Sequence, residues 1–509
     1  MISIDHSSAG NWPLPRSVRR ALDAMTADPG RRWRVSELAS LADVSGRTLQ
    51  RQFMSFLGKS PLVAQQEMAL EQARQALLKA GPRATVADVA QRCGFMHFGR
   101  FSAAYRRRYG ETPSSTLKRQ IRFAEAVSKL PVVMPSRDQP MLMLARFEIE
   151  AGDRAMAAHL ADDLATALGR AGVAVTHEAR FARYRMSGSI RGEGAHRRLL
   201  LQLVDQESGR QLWAHRSEDA LLPSMAHEQL ATRIIASLQP NLRRAEIERA
   251  RAMPEAALGP HELALKAMPG VQSLDAEGNA RALDLLERAL ALDPDSQLAV
   301  ALAAWAYAQR TIYHFASHPG SEQARGLALA RKALSLQGDA TTLAVLGTAL
   351  TLLDELDGAA HVIGKALAID GGCAWAWSRS GWLEVYRGDA DAAIERFRIG
   401  LDLAPQDALA FNSLVGIGCA HFKAGNYAEA ARWQQRAVLE HPSSAWMHRT
   451  LCPAYLLTGA RPAAQRSLDA LRAHHPDLTL AEVRRGMPPL PESYRNLVLE
   501  ALSDLGLPQ

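Results

Sequence analysis

Val35-Ser-Glu-Leu-Ala-Ser-Leu-Ala-Asp-Val-Ser-Gly-Arg-Thr-Leu-Gln-Arg-Gln-Phe-Met-Ser-Phe-Leu-Gly58 reads as two helices around a tight turn. The first helix covers Val35 to Ala42, and the turn sits at Asp43-Val44. Ser45 is placed to cap the second helix, because its hydroxyl can accept from a backbone N–H of the first turn. Gly58 stops it, since glycine enters the left-handed region without a Cβ penalty. Between them Leu49, Phe53 and Phe56 or Leu57 share one face at helical spacing and are expected to bury. Arg47, Gln50 and Arg51 are left on the opposite face, free to meet a ligand. Their planar forks suit guanine and adenine edges in a DNA major groove.

The pattern recurs about fifty residues on. Thr85 caps a short helix through Cys93, the chain turns at Gly94-Phe95, and a second helix runs from Phe98 to Tyr109, with Gly110 as its stop. Phe101 and Tyr105 are spaced to bury, and Arg100 faces outward. Arg106, Arg107 and Arg108 form a cationic end suited to phosphates. Cys93 falls on the inward side and reads as a small core residue. Between the copies, Pro61 opens an amphipathic helix through Lys79 that reads as a rigid spacer.

Charge separates this region from the rest. The chain has 509 residues and a formal charge of +7, but residues 1–122 hold 20 Lys/Arg against 9 Asp/Glu, a net of +11, leaving −4 for the remainder. A basic segment joined to a mildly acidic body points to a polyanion partner at one end.

Residues 16 to about 120 resemble the DNA-binding domain of the AraC/XylS family of bacterial transcription regulators. The resemblance is carried by Leu49-Gln-Arg-Gln-Phe53, Gly58-Lys-Ser-Pro61, Ala90-Gln-Arg-Cys-Gly-Phe95 and Arg107-Arg-Tyr-Gly-Glu-Thr-Pro113. It implies seven helices holding two helix-turn-helix units, whose second helices enter successive major grooves of double-stranded DNA. It assigns base reading to Arg47, Gln50 and Arg51 in the first unit and to Phe98, Gly99 and Arg100 in the second. It also implies RNA polymerase as a partner and activation as the outcome. Two departures stand out: the family commonly has a polar residue where Phe98 stands and an arginine where Ala103 stands. Family members also usually carry this domain last, whereas here it comes first.

Residues 123–140, with Pro131, Pro135 and Pro140, have the composition of a linker. Beyond it a small α+β module is expected over 141–240: a strand at Met141–Ile149, a helix at Arg154–Gly169 and a strand at Val173–His177. Three antiparallel strands follow, at Arg183–Arg191, Arg197–Asp205 and Gln211–Arg216, with turns at Gly192/Gly194 and Ser208-Gly209 and a closing helix from His227 to Leu238. Ser187-Gly-Ser-Ile-Arg191 and Leu203-Val-Asp-Gln-Glu-Ser-Gly-Arg-Gln-Leu-Trp-Ala214 resemble a module that lies between the output domain and helical repeats of many bacterial signalling proteins. His215 with Glu218 or Asp219 reads as solvent-facing rather than catalytic.

From residue 241 to 509 a repeat domain is expected. Helix-end signals at Pro294, Gly338, Gly371, Pro405, Pro442 and Pro476 recur at steps near 34 residues, with one longer step around Tyr313–Ser321. Small residues precede them at fixed offsets: Ala282 and Ala289, Ala359 and Ala366, Ala393 and Gly400, Ala430 and Ala437. This resembles the tetratricopeptide repeat, most clearly in Trp377, Gly381, Gly388, Ala393, Phe397 and Pro405. The resemblance implies a curved solenoid whose concave face takes a peptide or protein segment, and a protein or small effector on the repeat domain is the expected controlling partner. Trp375, Arg379, Trp382, Asn412 and His448 are candidates to line that face, with core packing the competing role for the two tryptophans.

The expected architecture is mostly α, with an all-α double helix-turn-helix domain, a small α+β domain and an α-solenoid. No H-E-x-x-H, G-x-S-x-G or G-x-G-x-x-G occurs, and Cys93, Cys373, Cys419 and Cys452 lack ligand spacing. No enzyme activity, cofactor or metal is expected. A polar start and the lack of a long apolar run point to a cytoplasmic chain off the membrane. Self-association as a homodimer is a further expectation. The competing reading is a protein-interaction scaffold whose DNA-binding domain is weak or vestigial.

Overall fold

The computed structural model describes residues 15–28, 31–78, 84–109, 112–118, 140–149, 154–176, 178–191, 198–217 and 227–509. The chain divides into two compact units, residues 1–130 and 131–509.

The first unit is helical: α1 (Arg16–Ala27), α2 (Val35–Leu41), α3 (Gly46–Leu57), α4 (Pro61–Leu78), α5 (Val86–Arg92) and α6 (Phe98–Tyr109), with a helical turn over residues 113–118. It has two small cores. In one, Val18, Ala21, Leu22 and Met25 of α1 meet Leu38 and Ala39 of α2 and Leu49 and Phe53 of α3. In the other, Val89 and Ala90 of α5 meet Phe101 and Tyr105 of α6. Helix α4 serves both, sending Ala64 and Met68 into the first and Leu70, Ala73 and Leu77 into the second. A single helix buried in two cores fixes the distance between them, as the spacer reading expects. One further bond ties the cores together, Arg32 Nε donating to the Gly94 carbonyl at 2.9 Å, and Gln65 Nε2 holds the first part of α4 to the loop before α2 by donating to the Arg31 carbonyl at 2.9 Å. Gly110 and residues 123–139 of the linker lie outside the described residues.

The second unit begins with a six-stranded sheet of order β3-β1-β4-β5-β6, with β2 also beside β4. Its strands are β1 (Met141–Leu144), β2 (Glu148–Ile149), β3 (Ala174–Thr176), β4 (Tyr184–Arg191), β5 (Arg198–Asp205) and β6 (Gln211–Ser217). β1 runs parallel to β3 and β4, while β4, β5 and β6 form an antiparallel meander. The single strand expected at Met141–Ile149 is broken. Leu144 faces Met186 and Glu148 faces Ser189, so one residue too many lies on the first chain and the ladder is interrupted there. Phe147, in the break, packs over Gly188, where an added Cβ would stand 2.9 Å from the ring. The turn at Gly192/Gly194 lies outside the described residues.

The closing helix is also longer than expected. It runs from His227 to Ala252, through Pro240, and so crosses the boundary expected at residue 240. Proline removes one backbone donor, but Leu230, Ile234, Ile235, Leu238, Leu242 and Ala245 bury against the sheet and the Arg154–Arg170 helix on both sides of it. That continuous apolar face outweighs one lost hydrogen bond. The same helix reaches the repeats: Gln239 donates to Asp370 at 2.9 Å, and Arg243 pairs with Asp407 at 3.1 Å.

The repeats are six helix pairs, beginning at Pro260, Gln297, Ala340, Ala374, Ala410 and His448, followed by two terminal helices, Leu480–Arg485 and Glu492–Asp504. Each expected helix end falls two or three residues past the second helix of a pair, and the longer step is the loop between Ile312 and Pro319. Ala282, Ala289, Ala359, Ala366, Ala393 and Ala430 are fully or almost fully buried, which is what close helix packing demands. Among the described residues no helix is long and apolar enough to cross a membrane.

Candidate nucleic-acid interface

The two units of the N-terminal region are built by the same local rules. The Ser45 hydroxyl accepts from Thr48 N–H at 3.1 Å at the start of α3, and the Thr85 hydroxyl accepts from Asp88 N–H at 3.1 Å at the start of α5. Each turn closes with a backbone bond five residues back, Val44 N to Ala39 O at 3.0 Å and Phe95 N to Ala90 O at 2.9 Å. Each places one residue in the left-handed region, Asp43 at φ 56° and Gly94 at φ 79°. Asp is among the few residues besides glycine that tolerate that region.

Helix α3 is anchored by Leu49 and Phe53, both fully buried, with Leu57 packed at the edge of the same core. Gly58, at φ 66°, ends it by donating to the Met54 carbonyl. Arg47, Gln50 and Arg51 are all exposed on the other side and make no hydrogen bond or ion pair among the described residues. Three long polar side chains are thus left ready to donate outward.

Helix α6 is anchored by an aromatic series. Phe95 lies 4.7 Å from Phe101, Phe101 lies 5.6 Å from Tyr105, and Tyr105 lies 4.7 Å from Tyr109. The buried Tyr105 hydroxyl meets Thr116 at 3.1 Å. Cys93 is buried in the same core, and burial pushes its thiol above the ordinary value of 9.0. Phe98, Gly99, Arg100, Arg106 and Arg107 are exposed. Arg108 differs from its neighbours: it donates to the Tyr109 hydroxyl at 3.3 Å and lies 3.8 Å from Glu67, so it is partly engaged within the domain. Met96, which sequence reasoning passed over, is 72% exposed just ahead of the helix. The available signal was length, since the second unit has one more residue between its left-handed turn position and its helix.

The residues expected on the concave face of the repeats are placed differently. Trp375, Arg379, Trp382 and Asn412 are buried in one cluster, where the Asn412 side-chain oxygen accepts from Trp382 Nε1 at 2.7 Å and from Arg379. His448 stands apart, half-buried and 2.9 Å from the Ser467 hydroxyl. The array curls far enough for its ends to meet. Tyr313 stacks on Trp446 at 4.9 Å, Ser444 donates to the Ser273 carbonyl at 3.2 Å, and Arg449 donates to the carbonyls of Ile312 and Gly486 at 3.1 and 2.9 Å. The chain's own side chains occupy the inner face. His215, in the sheet, is half-buried and stacks on Trp213, and burial lowers its basicity. Glu218 and Asp219 lie outside the described residues.

Comparison with known proteins agrees with the geometry of the first unit. A helix-turn-helix domain model matches residues 38–119. The probable thc operon regulatory protein of Rhodococcus erythropolis is 37% identical over 106 residues, 21% of this chain and 32% of that protein. The XylDLEGF operon transcriptional activator 2 of Pseudomonas putida is 36% identical over 84 residues, 16% of this chain and 54% of that protein. The crystal structure of a probable AraC family transcriptional regulator from Rhodopseudomonas palustris CGA009 is 29% identical, covering 21% of this chain and 99% of that one, with a TM-score of 0.20. The chain thus spans about a third of the first curated relative and about half of the second. Residues 38–119 are a helix-turn-helix domain of the AraC type, in a chain that continues into a small sheet domain and a tetratricopeptide-like helical array.

Proposed function

We propose that this chain is a sequence-specific DNA-binding transcription regulator, with residues 1–122 as its output domain and the rest as its control. The observation that carries this is the pair of exposed helix faces, one on each core, held by a single shared helix. Helix α4 has 18 residues, about 27 Å at 1.5 Å per residue, long enough to carry both cores on one rigid element. Two readers fixed to one rigid helix suit adjacent major-groove segments on one side of a duplex. Arg47, Gln50 and Arg51 specify bases in the first, and Arg106 and Arg107 hold phosphates beside the second. Arg108, shared with Glu67 and Tyr109, contributes less.

Activation through RNA polymerase, by resemblance to the family, together with action in the cytoplasm and assembly as a homodimer, completes the proposal. The controlling effector has room away from the filled inner face. A cavity of about 720 Å³ lies between the long helix and the first repeats, lined among others by Gln239, Arg243, His261, Glu262, Ser296 and Thr342, within the usual size range of small-molecule sites.

The test is binding of the full chain to duplexes selected from a randomised pool. Arg51→Ala is expected to cost about 1–3 kcal/mol on the selected site and to relax its sequence preference. Arg107→Ala is expected to weaken all sequences alike and to lower the slope of affinity against salt by about one ion. Unchanged preference and affinity in Arg51→Ala would remove α3 from the reading.

A further inference from the structure

We propose that the second recognition helix reads thymine through its methyl groups, with Met96 and Phe98 as the side chains that set which base pairs its half-site accepts. This rests on the DNA-binding function proposed above.

The two recognition helices share a register. Leu49 and Phe101, the first buried anchors, stand at the fourth position of α3 and α6, and Phe53 and Tyr105 at the eighth. On that register the outward positions held by Arg47, Gln50 and Arg51 in α3 are held by Gly99, Ser102 and Ala103 in α6. None of the three carries a planar fork or reaches far from the helix. A Cβ added at Gly99 would meet nothing within 4 Å, so a space is left open on this face. At these three positions the second unit therefore lacks the forks with which the first meets bases.

What projects instead is apolar. Two residues separate Asp43 from α3, whereas three separate Gly94 from α6, and the longer turn carries Met96 at 72% exposure. Phe98, the first residue of α6, is 48% exposed. In a helix-turn-helix, the start of the second helix is the part that reaches base edges. Two large hydrophobic side chains are held in water at that position, with the cationic Arg100, Arg106 and Arg107 exposed on the same helix to hold a phosphate backbone against it. Charge complementarity thus names the occupant as DNA. In the major groove the one apolar feature of the four bases is the thymine methyl, whereas guanine and adenine edges ask for donors that Met and Phe lack. Burying methyls against Met96 and Phe98 removes apolar surface from water on both sides.

The experiment uses the full chain and a duplex it selects from a randomised pool about three helical turns long. The half-site whose preference Arg51→Ala relaxes belongs to α3, and the other belongs to α6. Each half-site is resynthesised in turn with deoxyuridine for thymidine, which deletes the methyl alone. In the α6 half-site, affinity is expected to fall about 4-fold per contacted methyl, the value of one buried methyl carbon at 1.4 kcal/mol per decade. Phe98→Ala and Met96→Ala are each expected to lower affinity for the thymidine duplex and to bring the thymidine-to-deoxyuridine ratio towards one. Both should leave thermal unfolding unchanged, because neither side chain is in the core. Equal affinity for both duplexes in wild type, or an unchanged ratio in Phe98→Ala, overturns the inference while the DNA-binding reading stands on Arg51. Selection of no sequence at all overturns that reading and this inference with it.

Discussion

Truncating Phe397 to alanine is expected to destabilise the helical array by about 3–5 kcal/mol, the usual cost of emptying a buried aromatic site. Its ring is fully buried where three successive helices meet, Ala374–Arg387, Ala390–Leu403 and Ala410–Lys423. Two glycines make room for it. A Cβ at Gly381 would stand 2.8 Å from the ring, and one at Gly416 would overlap it outright. The ring also meets Trp382 edge to face, with centroids 5.6 Å apart at 82°, an arrangement that adds to simple burial. The fit predicts a coupling. Gly416→Ala alone should cost about 1–3 kcal/mol by overpacking, but in a Phe397→Ala background the added methyl enters space already vacated. The double variant should therefore fall short of the sum of the singles by about 0.5–3 kcal/mol. Six of the nine tryptophans lie in the array, so urea unfolding followed by tryptophan fluorescence reports on this part of the chain. Additive singles would mean that the ring and the glycine do not share their space.

The readable and unreadable parts of this chain divide along a physical line. Local chemistry was legible. Ser45 and Thr85 cap the helices expected of them, Gly58 ends α3 in the left-handed region, and Ala359, Ala366, Ala393 and Ala437 mark the close-packed faces of the repeats. These features depend on residues within one or two helical turns, or on one repeat meeting the next. The misreadings come from contacts that no local window contains. The closing helix is expected to end at Leu238, yet an apolar face continuing on both sides of Pro240 carries it on to Ala252. Trp375, Arg379, Trp382 and Asn412 do lie on the first helices of their pairs, where a concave face is expected, but the small-residue period does not say how tightly the pairs coil. That is set by long-range contacts such as Tyr313 with Trp446 and Arg449 with the Ile312 carbonyl, 137 residues away in the second case. In α6, the register of buried Phe101 and Tyr105 was legible, whereas the exposure of Met96 depended on a one-residue difference in turn length.

Glu246→Ala is expected to cost about 1–3 kcal/mol, because it leaves the buried Tyr184 hydroxyl without its acceptor, while the partly exposed Arg183 and Arg249 can turn to water. Glu246 sits on the long helix at 3% exposure. It accepts from Arg183 at 2.6 and 2.7 Å, from the Tyr184 hydroxyl at 2.5 Å, and from Arg249 at 3.1 Å. Those groups come from the start of β4 and from the helix itself, so the carboxylate pins the long helix to the sheet while the same helix reaches the repeats. Burial alone would raise the Glu246 carboxyl, but the hydrogen bonds from Tyr184 and Arg183 and the charges of Arg183 and Arg249 outweigh it, holding the group below its ordinary 4.5. The sign of the pH effect follows. A carboxyl whose folded value is depressed stabilises the fold fully above the unfolded value, and that contribution is lost as pH falls through the lower folded value. Wild type should therefore lose stability below about pH 4.5 by an amount that Glu246→Gln, which cannot titrate, does not show. Glu246→Gln keeps a carbonyl acceptor for Tyr184 and is expected to cost less than alanine at pH 7. Tyr184→Phe, which deletes one charge-assisted bond, should cost about 1.5–3 kcal/mol. Thermal unfolding of the three variants between pH 3.5 and 7, about a unit either side of the expected transition and beyond, decides it. Parallel pH profiles for wild type and Glu246→Gln would show that the carboxylate carries no charge-dependent share of the attachment.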